Sequence, residues 1–416
     1  MSPSPSASPA CRACGTPLRH SFADLGLSPV SNAFIHPGEA ACGETFYPLH
    51  AMVCDQCWLV QLAEATRADL HFHADYVYFS SFSSSWLAHA RHYVAQMSAR
   101  WQLDASSKVM EIASNDGYLL QYFKQAGIPC VGIEPSANTA AAAREKGIDT
   151  RELFFNRSTA MALAAQGQQV DLLLGNNVLA HVPDLNEFIG AMPAVLKPQA
   201  VVTLEFPHLL KLIEGGQFDT IYHEHYSYLS LLALLPIFAR AGLRVFDIEH
   251  LATHGGSLRL YACLQGATHA QLPSVAACLA QEQDAGLARL DTYARFGAAM
   301  RATKRALLSF MIAAKEEGKR VAAYGAAAKG NTLLNYCGIG RDFIDYVVDA
   351  NPAKQGRLLP GTRIPVLAPP AVAENRPDYL LILPWNIAPE VMQQMSGIRA
   401  WGGRFVLPIP HVVVLP

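Results

Sequence analysis

The chain has 416 residues, 51% of them apolar and 16% charged, with 32 basic against 34 acidic side chains and a formal charge of −2. At roughly 150 residues per domain this length implies two to three domains, each with ample core material. The balanced charge argues against a disordered chain and against an electrostatic binder of nucleic acid.

The amino-terminal stretch MSPSPSASPA lacks the basic and apolar regions of a secretory signal and reads as a short disordered lead. The longest uncharged apolar run, around Leu229 to Ala239, contains Pro236 and is about half of the roughly 20 residues that a membrane helix needs. No membrane span is expected, and a cytosolic location is.

Nine cysteines occur, an odd number in a long chain without a secretion signal, so a disulfide framework is not expected. Four of them form two C-x-x-C pairs, Cys11/Cys14 in CRACG and Cys54/Cys57 in CDQCW. Two thiolates on a tight turn offer one edge of a tetrahedron, and a second such turn completes a closed four-sulfur zinc site. The segment around them is rich in turn formers, so a metal can stand in for the core that so small a module lacks. Such a site has no open position and carries no catalysis. The alternative is two pairs of buried thiols or a redox pair, with Cys42 the nearby competitor.

From about Trp86 the texture becomes strands alternating with amphipathic helices, which implies an α/β sheet. The strand runs are Lys108 to Ser114, Cys130 to Ser136, Val170 to Asn177, Ala200 to His208, Leu243 to Leu251 and Ser257 to Leu264. A shorter run, DTRELFF, is expected to pair between the second and third. The last two are joined by ATHGG, too short for a crossover helix, so they should be antiparallel neighbours.

The first strand runs into EIASNDGYLLQYF, a strand, a turn of small residues and then a helix. Ala113, Ser114 and Gly117 there allow a ligand close to the backbone, and the helix start offers free N–H groups. No G-x-G-x-x-G is present. Glu134 ends the second strand about 20 residues beyond Glu111, where a doubly wound fold places a carboxylate for ribose hydroxyls. Asn176 and Asn177 end a later strand at the same sheet edge, and together these features point to an adenosine-containing ligand.

The combination CRACG…CDQCW, EIASNDG, GNNVLAHV, FDTIYHEHYSYLS, HGGSLR and YGAAAKGNTLLNY resembles the S-adenosylmethionine-dependent sugar C-methyltransferases of deoxysugar pathways over nearly the whole chain. The resemblance implies a zinc-binding domain over residues 1–75, a class I methyltransferase domain with a Rossmann-like sheet over 76–265 and a C-terminal Rossmann-like α/β domain over 266–416. It implies a cofactor pocket using Glu111, Ala113, Asn115 and Gly117 at the elbow, Glu134 on the ribose, and Asn176 with Asn177 near the methionine end.

After the strand ending at His208 comes an unusually polar and aromatic excursion with Tyr222, His223, Glu224, His225, Tyr226 and Tyr228. It follows a sheet edge where α/β proteins bind ligands. His-x-His also admits a metal, though no third ligand is visible at suitable spacing, and a packed lid is the structural alternative. Methylation at carbon requires a base to remove a proton next to a ketone and donors to stabilise the enolate; an imidazole suits the first task and tyrosine hydroxyls the second. The resemblance assigns the base to His225, with Tyr222 and Glu224 beside it, His181 at a further active-site position, and Tyr76 and Tyr78 leading into the cleft.

From Gln271 to Gly318 the chain reads as helical, and a second strand and helix alternation follows. The turn from Gly325 to Gly330 can take an anion through its N–H groups and the Lys329 ammonium. The resemblance implies a nucleotide-linked keto-sugar as substrate and makes Lys329, Asn331 and Arg259 candidates for its diphosphate. The leading expectation is therefore methyl transfer from S-adenosylmethionine to a carbon next to the keto group of a 4-keto-deoxysugar, with thymidine diphosphate as carrier. The alternatives are a methyltransferase acting on a non-sugar carbon acid or on oxygen or nitrogen, and a sensor whose zinc module contacts a macromolecule. No basic run flanks either C-x-x-C, which weighs against nucleic acid. A monomer is expected, since three domains can bury their own faces.

Overall fold

The computed structural model describes residues 9–39, 41–64 and 79–416. Most of the amino-terminal lead, and both Tyr76 and Tyr78, lie outside the described residues.

Two matching turns organise the first module. In each, the residue after the second cysteine donates its N–H to the carbonyl of the first, Gly15 to Cys11 at 2.8 Å and Trp58 to Cys54 at 3.0 Å. Both donors take positive φ, 78° at Gly15 and 61° at Trp58. The turns bring the sulfurs of Cys11, Cys14, Cys54 and Cys57 within 4.8 Å of one another. Cys11 lies 3.5 Å from Cys57 and Cys14 3.5 Å from Cys54. Four ligands at about 2.3 Å from one tetrahedral ion stand about 3.8 Å apart, so the cluster fits a structural zinc with every position filled. Cys42 is exposed and outside the cluster. Strands β1 (His20–Pro29), β2 (Phe46–Val53) and β3 (Val60–Leu62) form an antiparallel sheet beside it.

The central sheet contains β4 (Val109–Ile112), β5 (Cys130–Ile133), β6 (Thr150–Arg151), β7 (Val170–Asn176) and β8 (Leu196–Pro207), all parallel. Strand β4 is buried at every position, as a strand covered on both faces must be. Next in the chain is β9 (Ser227–Tyr228), which leaves this sheet and pairs with β3 of the first one. Strands β10 (Leu243–Leu251) and β11 (Ser257–Leu264) are the expected antiparallel hairpin, and β11 inserts beside β8. The spatial order is β10-β11-β8-β7-β4-β5-β6. The expectation for DTRELFF needs correction: only Thr150–Arg151 pairs, and it does so outside β5 at the sheet edge.

The third sheet, in order β14-β13-β12-β15-β16-β17, is built from β12 (Val321–Tyr324), β13 (Val347–Val348), β14 (Val366–Leu367), β15 (Tyr379–Ile382), β16 (Arg404–Leu407) and β17 (Val413–Leu415). It is parallel except for β17. The long helix Leu290–Glu316 lies against β1, where Phe22 stacks on Phe296 with ring centroids 4.5 Å apart. Among the described residues no helix is long and apolar enough to cross a membrane.

The zinc module holds more than itself. Arg12, inside the first knuckle, donates to the carbonyl of Leu62 at 2.7 Å and to that of Tyr226. Cys54→Ser is therefore expected to remove the zinc found by elemental analysis, to lower the melting temperature and to reduce kcat together with it. A zinc-free wild-type enzyme with unchanged melting temperature would contradict this assignment.

Candidate active site

The turn after β4 passes through the left-handed region at Ala113 (φ 56°), Asn115 (φ 49°) and Gly117 (φ 73°). It folds back over β5, where a Cβ on Gly132 would stand 2.3 Å from Ser114 Oγ, so this strand requires glycine at that position. A cavity of about 190 Å³ opens at the ends of β4, β5 and β7, and Ala113, Asn115, Glu134, Asn176, Asn177 and His181 line it. Glu134 accepts the main-chain N–H of Asn115 and of Ser136, each at 2.9 Å. Each carboxylate oxygen keeps a lone pair for a ligand hydroxyl. The Asn176 amide is buried with neither end hydrogen-bonded to protein, which is the state of a group meant for a ligand. The opposite wall is apolar, with Leu153, Phe154, Phe155 and Phe188, a surface for a flat ring. These polar and apolar halves fit S-adenosylmethionine.

Two residues expected at the cofactor lie outside the cavity lining. Gly117 does not line the cavity: a Cβ there would meet Ile148 at 3.1 Å and Ala143 at 3.3 Å, so its small size serves packing and its positive φ. Glu111 is buried beneath the elbow and also outside the lining. Burial lifts its carboxyl well above the ordinary range.

A second, smaller cavity of about 50 Å³ adjoins the first, lined by Tyr222, His225, Thr220, Ser227, Tyr228 and Lys329. The two share Asn177 and His254. His225 Nδ1 donates to the carbonyl of Thr220 at 2.8 Å, and because a carbonyl only accepts, the ring's lone pair is on Nε2. The Tyr222 hydroxyl donates to that lone pair at 2.8 Å. His181 stands edge-on to His225 with centroids 4.7 Å apart, so the two imidazoles face each other across the wall between the cavities. Burial holds the His181 and His254 rings down at about 4. His225 is pushed well below 6.5 by burial and then by His181, with His254 and Lys329 adding to it. All three rings are neutral at neutral pH.

Glu224 does not enter either cavity. Its Oε1 accepts from Asn32 Nδ2 at 2.7 Å, and burial raises its carboxyl to about 7. Its backbone carries the hydrogen bond of His181.

The three expected diphosphate contacts separate. Lys329 reaches the small cavity. Asn331 is buried within the helix Ala328–Cys337, its Oδ1 accepting from Asn335, and lines neither cavity. Arg259 is 1% exposed in β11 and donates to Glu205 at 2.8 Å and Glu249 at 2.9 Å, with its guanidinium over the Tyr93 ring. It lines neither cavity. Removing it leaves Glu205 buried and short of its counter-charge, so Arg259→Met is expected to cost about 3–5 kcal/mol of stability by denaturant titration. The substrate KM of folded Arg259→Met protein should be that of the wild type.

Two residues in the site were not singled out from sequence. His254, at φ 55° in the HGG turn, belongs to the wall shared by both cavities. Trp86 stacks on Tyr118 at 5.9 Å and meets the His254 ring edge-on at 5.0 Å. A histidine before two glycines in a hairpin was the available signal for the first; a lone tryptophan in a helix gave none for the second.

Models of three families match the chain in succession: a zinc binding domain over residues 11–72, a methyltransferase domain over 86–248, and a C-methyltransferase C-terminal domain over 252–410. C-methyltransferase NovU of Streptomyces niveus is 36% identical over 97% of this chain and 96% of its own. A ubiquinone biosynthesis O-methyltransferase of Rhodopseudomonas palustris (strain BisA53) is 29% identical over 24% of this chain and 40% of its own. The solved magnesium protoporphyrin IX methyltransferase from Synechocystis PCC 6803 with bound S-adenosylmethionine is 17% identical, covers 42% of this chain and 78% of its own, and superposes with a TM-score of 0.33. For the pocket itself, Glu134→Ala is expected to weaken S-adenosylmethionine binding by about 1–3 kcal/mol, read by calorimetry; unchanged affinity would remove Glu134 from it. Matched in succession by these three models and by that C-methyltransferase over nearly its whole length, the chain belongs to the S-adenosylmethionine-dependent C-methyltransferase family.

Proposed function

We propose that the acceptor is a carbon next to the ketone of a nucleotide-diphosphate-linked 4-keto-deoxysugar, with thymidine as the nucleoside, and that His225 generates the nucleophile. The observation that carries this reading is the fixed tautomer of His225, whose basic Nε2 faces the small cavity beside a tyrosine donor. Methylation of oxygen needs only a hydroxyl deprotonated, whereas carbon needs a base and a stabilised oxyanion at once. The resemblance to deoxysugar enzymes and the C-methyltransferase relative support the sugar and the carbon respectively.

S-adenosylmethionine, when bound, supplies a methyl group on a positively charged sulfur. Glu134, Asn115 and Asn176 would hold it in the larger cavity, whose lining also includes Asn177 and His181. His225 Nε2 takes the proton from the acceptor carbon, and the C–H electron pair passes to the ketone oxygen. Tyr222 yields the Nε2 lone pair by turning its O–H onto that oxygen, so one movement frees the base and supplies a donor. His181, neutral and buried, keeps the wall between the cavities dry and uncharged.

A panel of thymidine- and guanosine-diphosphate 4-keto-sugars, incubated with enzyme in deuterium oxide with S-adenosylhomocysteine in place of the donor, tests the reading by mass spectrometry. Exchange next to the ketone is expected. His225→Asn should lower exchange and turnover by about 10²–10⁴-fold and leave cofactor affinity as it was. Exchange retained by this variant would move the base elsewhere. Because the folded site holds the His225 pKa well below 6.5, the acid limb of kcat should lie below pH 6.5, with the rate falling as pH drops through it.

A further inference from the structure

Lys329 leaves the first turn of the helix Ala328–Cys337 and ends in the cavity that holds Tyr222 and His225. Its Nζ donates to Asn386 Oδ1 at 2.7 Å and rests 4.7 Å from the centroid of the Trp385 ring. That ring is clamped to the methyltransferase side at two points. Its N–H donates to Asp219 Oδ2 at 2.7 Å, three positions before Tyr222 in the chain. On the other side it packs on Gly255, where a Cβ would approach the indole to 2.6 Å.

We propose that Lys329 is a catalytic residue of the C-methylation, its ammonium donating to the ketone oxygen of the acceptor as negative charge develops there. This rests on the carbanion reading given above and extends it to the C-terminal domain. An ammonium carries three N–H donors. Among the described residues Asn386 is the hydrogen-bond partner of Nζ, so donors remain for the cavity.

A diphosphate is the other anion a lysine could meet, and the surroundings oppose it. Among the residues lining this cavity Lys329 is the sole lysine or arginine, and Pro207, Leu209 and Leu212 share the wall. Asp219, buried behind the Trp385 ring, would repel a polyanion; it balances a single ammonium. One cation on its own suits one developing charge.

The bookkeeping of the step is closed. The C–H bond breaks, its proton goes to His225 Nε2 and its electron pair becomes the enolate, whose oxygen accepts from Nζ. The lysine keeps its proton throughout. When the new carbon–carbon bond forms, the enolate's C=C pair takes the donor methyl, the methyl–sulfur bond breaks with its pair left on the sulfur of S-adenosylhomocysteine, and the oxygen's pair restores the ketone.

The test uses the full-length zinc-loaded enzyme and the same keto-sugar panel. Lys329→Met is expected to lower both kcat and solvent exchange by about 10²–10³-fold, as the loss of an oxyanion donor does. KM should change little, the signature of an interaction made in the transition state. Thymidine diphosphate alone should bind the variant as it binds the wild type. Because removal of the charge could disturb packing, Lys329→Ala is assayed with added methylammonium, which should raise its rate; a purely structural lysine would give no such rescue. Wild-type exchange retained in Lys329→Met, with a raised KM and weakened thymidine diphosphate binding, would overturn the proposal and send the lysine to the phosphates. Absence of any methylammonium effect would also overturn it. If the wild type exchanges no member of the panel, the carbanion reading fails and this role falls with it.

Discussion

The pairing of β9 with β3 is the contact on which the chemistry depends. Ser227 and Tyr228 come two and three residues after His225 in the chain, and they are hydrogen-bonded as the fourth strand of the zinc module's sheet. Leu62 donates its N–H to the carbonyl of Tyr226, and Arg12 donates to the same oxygen. A segment that leaves the central sheet and carries many polar groups would otherwise have to solvate its backbone as a mobile loop. Here its backbone groups are satisfied by another module, so the imidazole next to them has one orientation. A structural zinc thereby bears on the position of the His225 segment, because the knuckle that it would close is the one from which Arg12 projects.

Burial then decides the charge state of the site. Three histidines, His181, His225 and His254, occupy or face the boundary between the cavities, and desolvation outweighs every favourable contact in keeping them uncharged. Such a boundary does not repel a cationic donor on one side, and it leaves a base unprotonated on the other. The cost is a weak base, since a depressed pKa means a reluctant imidazolium. In the proposed mechanism a neighbouring anion offsets that cost: the enolate formed beside His225 would be the charge its imidazolium lacks in the free protein.

The parts of this arrangement that were legible in sequence are those fixed by local geometry. Two C-x-x-C turns announce their shape through spacing, and the elbow announces its own through small residues, confirmed by the positive φ at Ala113 and Asn115. The hairpin of β10 and β11 follows from a linker too short for anything else. What failed to show was set by partners distant in sequence. Arg259 looks like any strand arginine until Glu205 and Glu249 are seen to enclose it. Glu224 has the right neighbours for catalysis, but its side chain is drawn away by Asn32, which belongs to another module. Leu153, Phe154 and Phe155 continue a β-rich run, yet the edge of the sheet ends two residues earlier and releases them to the cavity.

The HGG turn shows how the modules come to share one site. His254 takes a left-handed backbone conformation, which costs a non-glycine residue of the order of 1 kcal/mol or more and persists only where its surroundings enforce it. The enforcement comes from the two glycines beyond it. Gly255 lets Trp385 of the C-terminal domain approach, and Gly256 lets the side chain of Lys211 cross where a Cβ would come within 2.6 Å. The turn is thus pressed between the helix Leu209–Glu214 on one side and the C-terminal domain on the other, and the side chain it presents lines both cavities where they meet. Undocking the C-terminal domain would withdraw Trp385 from Gly255 and Lys329 from the cavity together, and would release the strained turn that holds the partition. Donor binding, acceptor activation and domain docking are for that reason parts of one structural condition and not three independent ones.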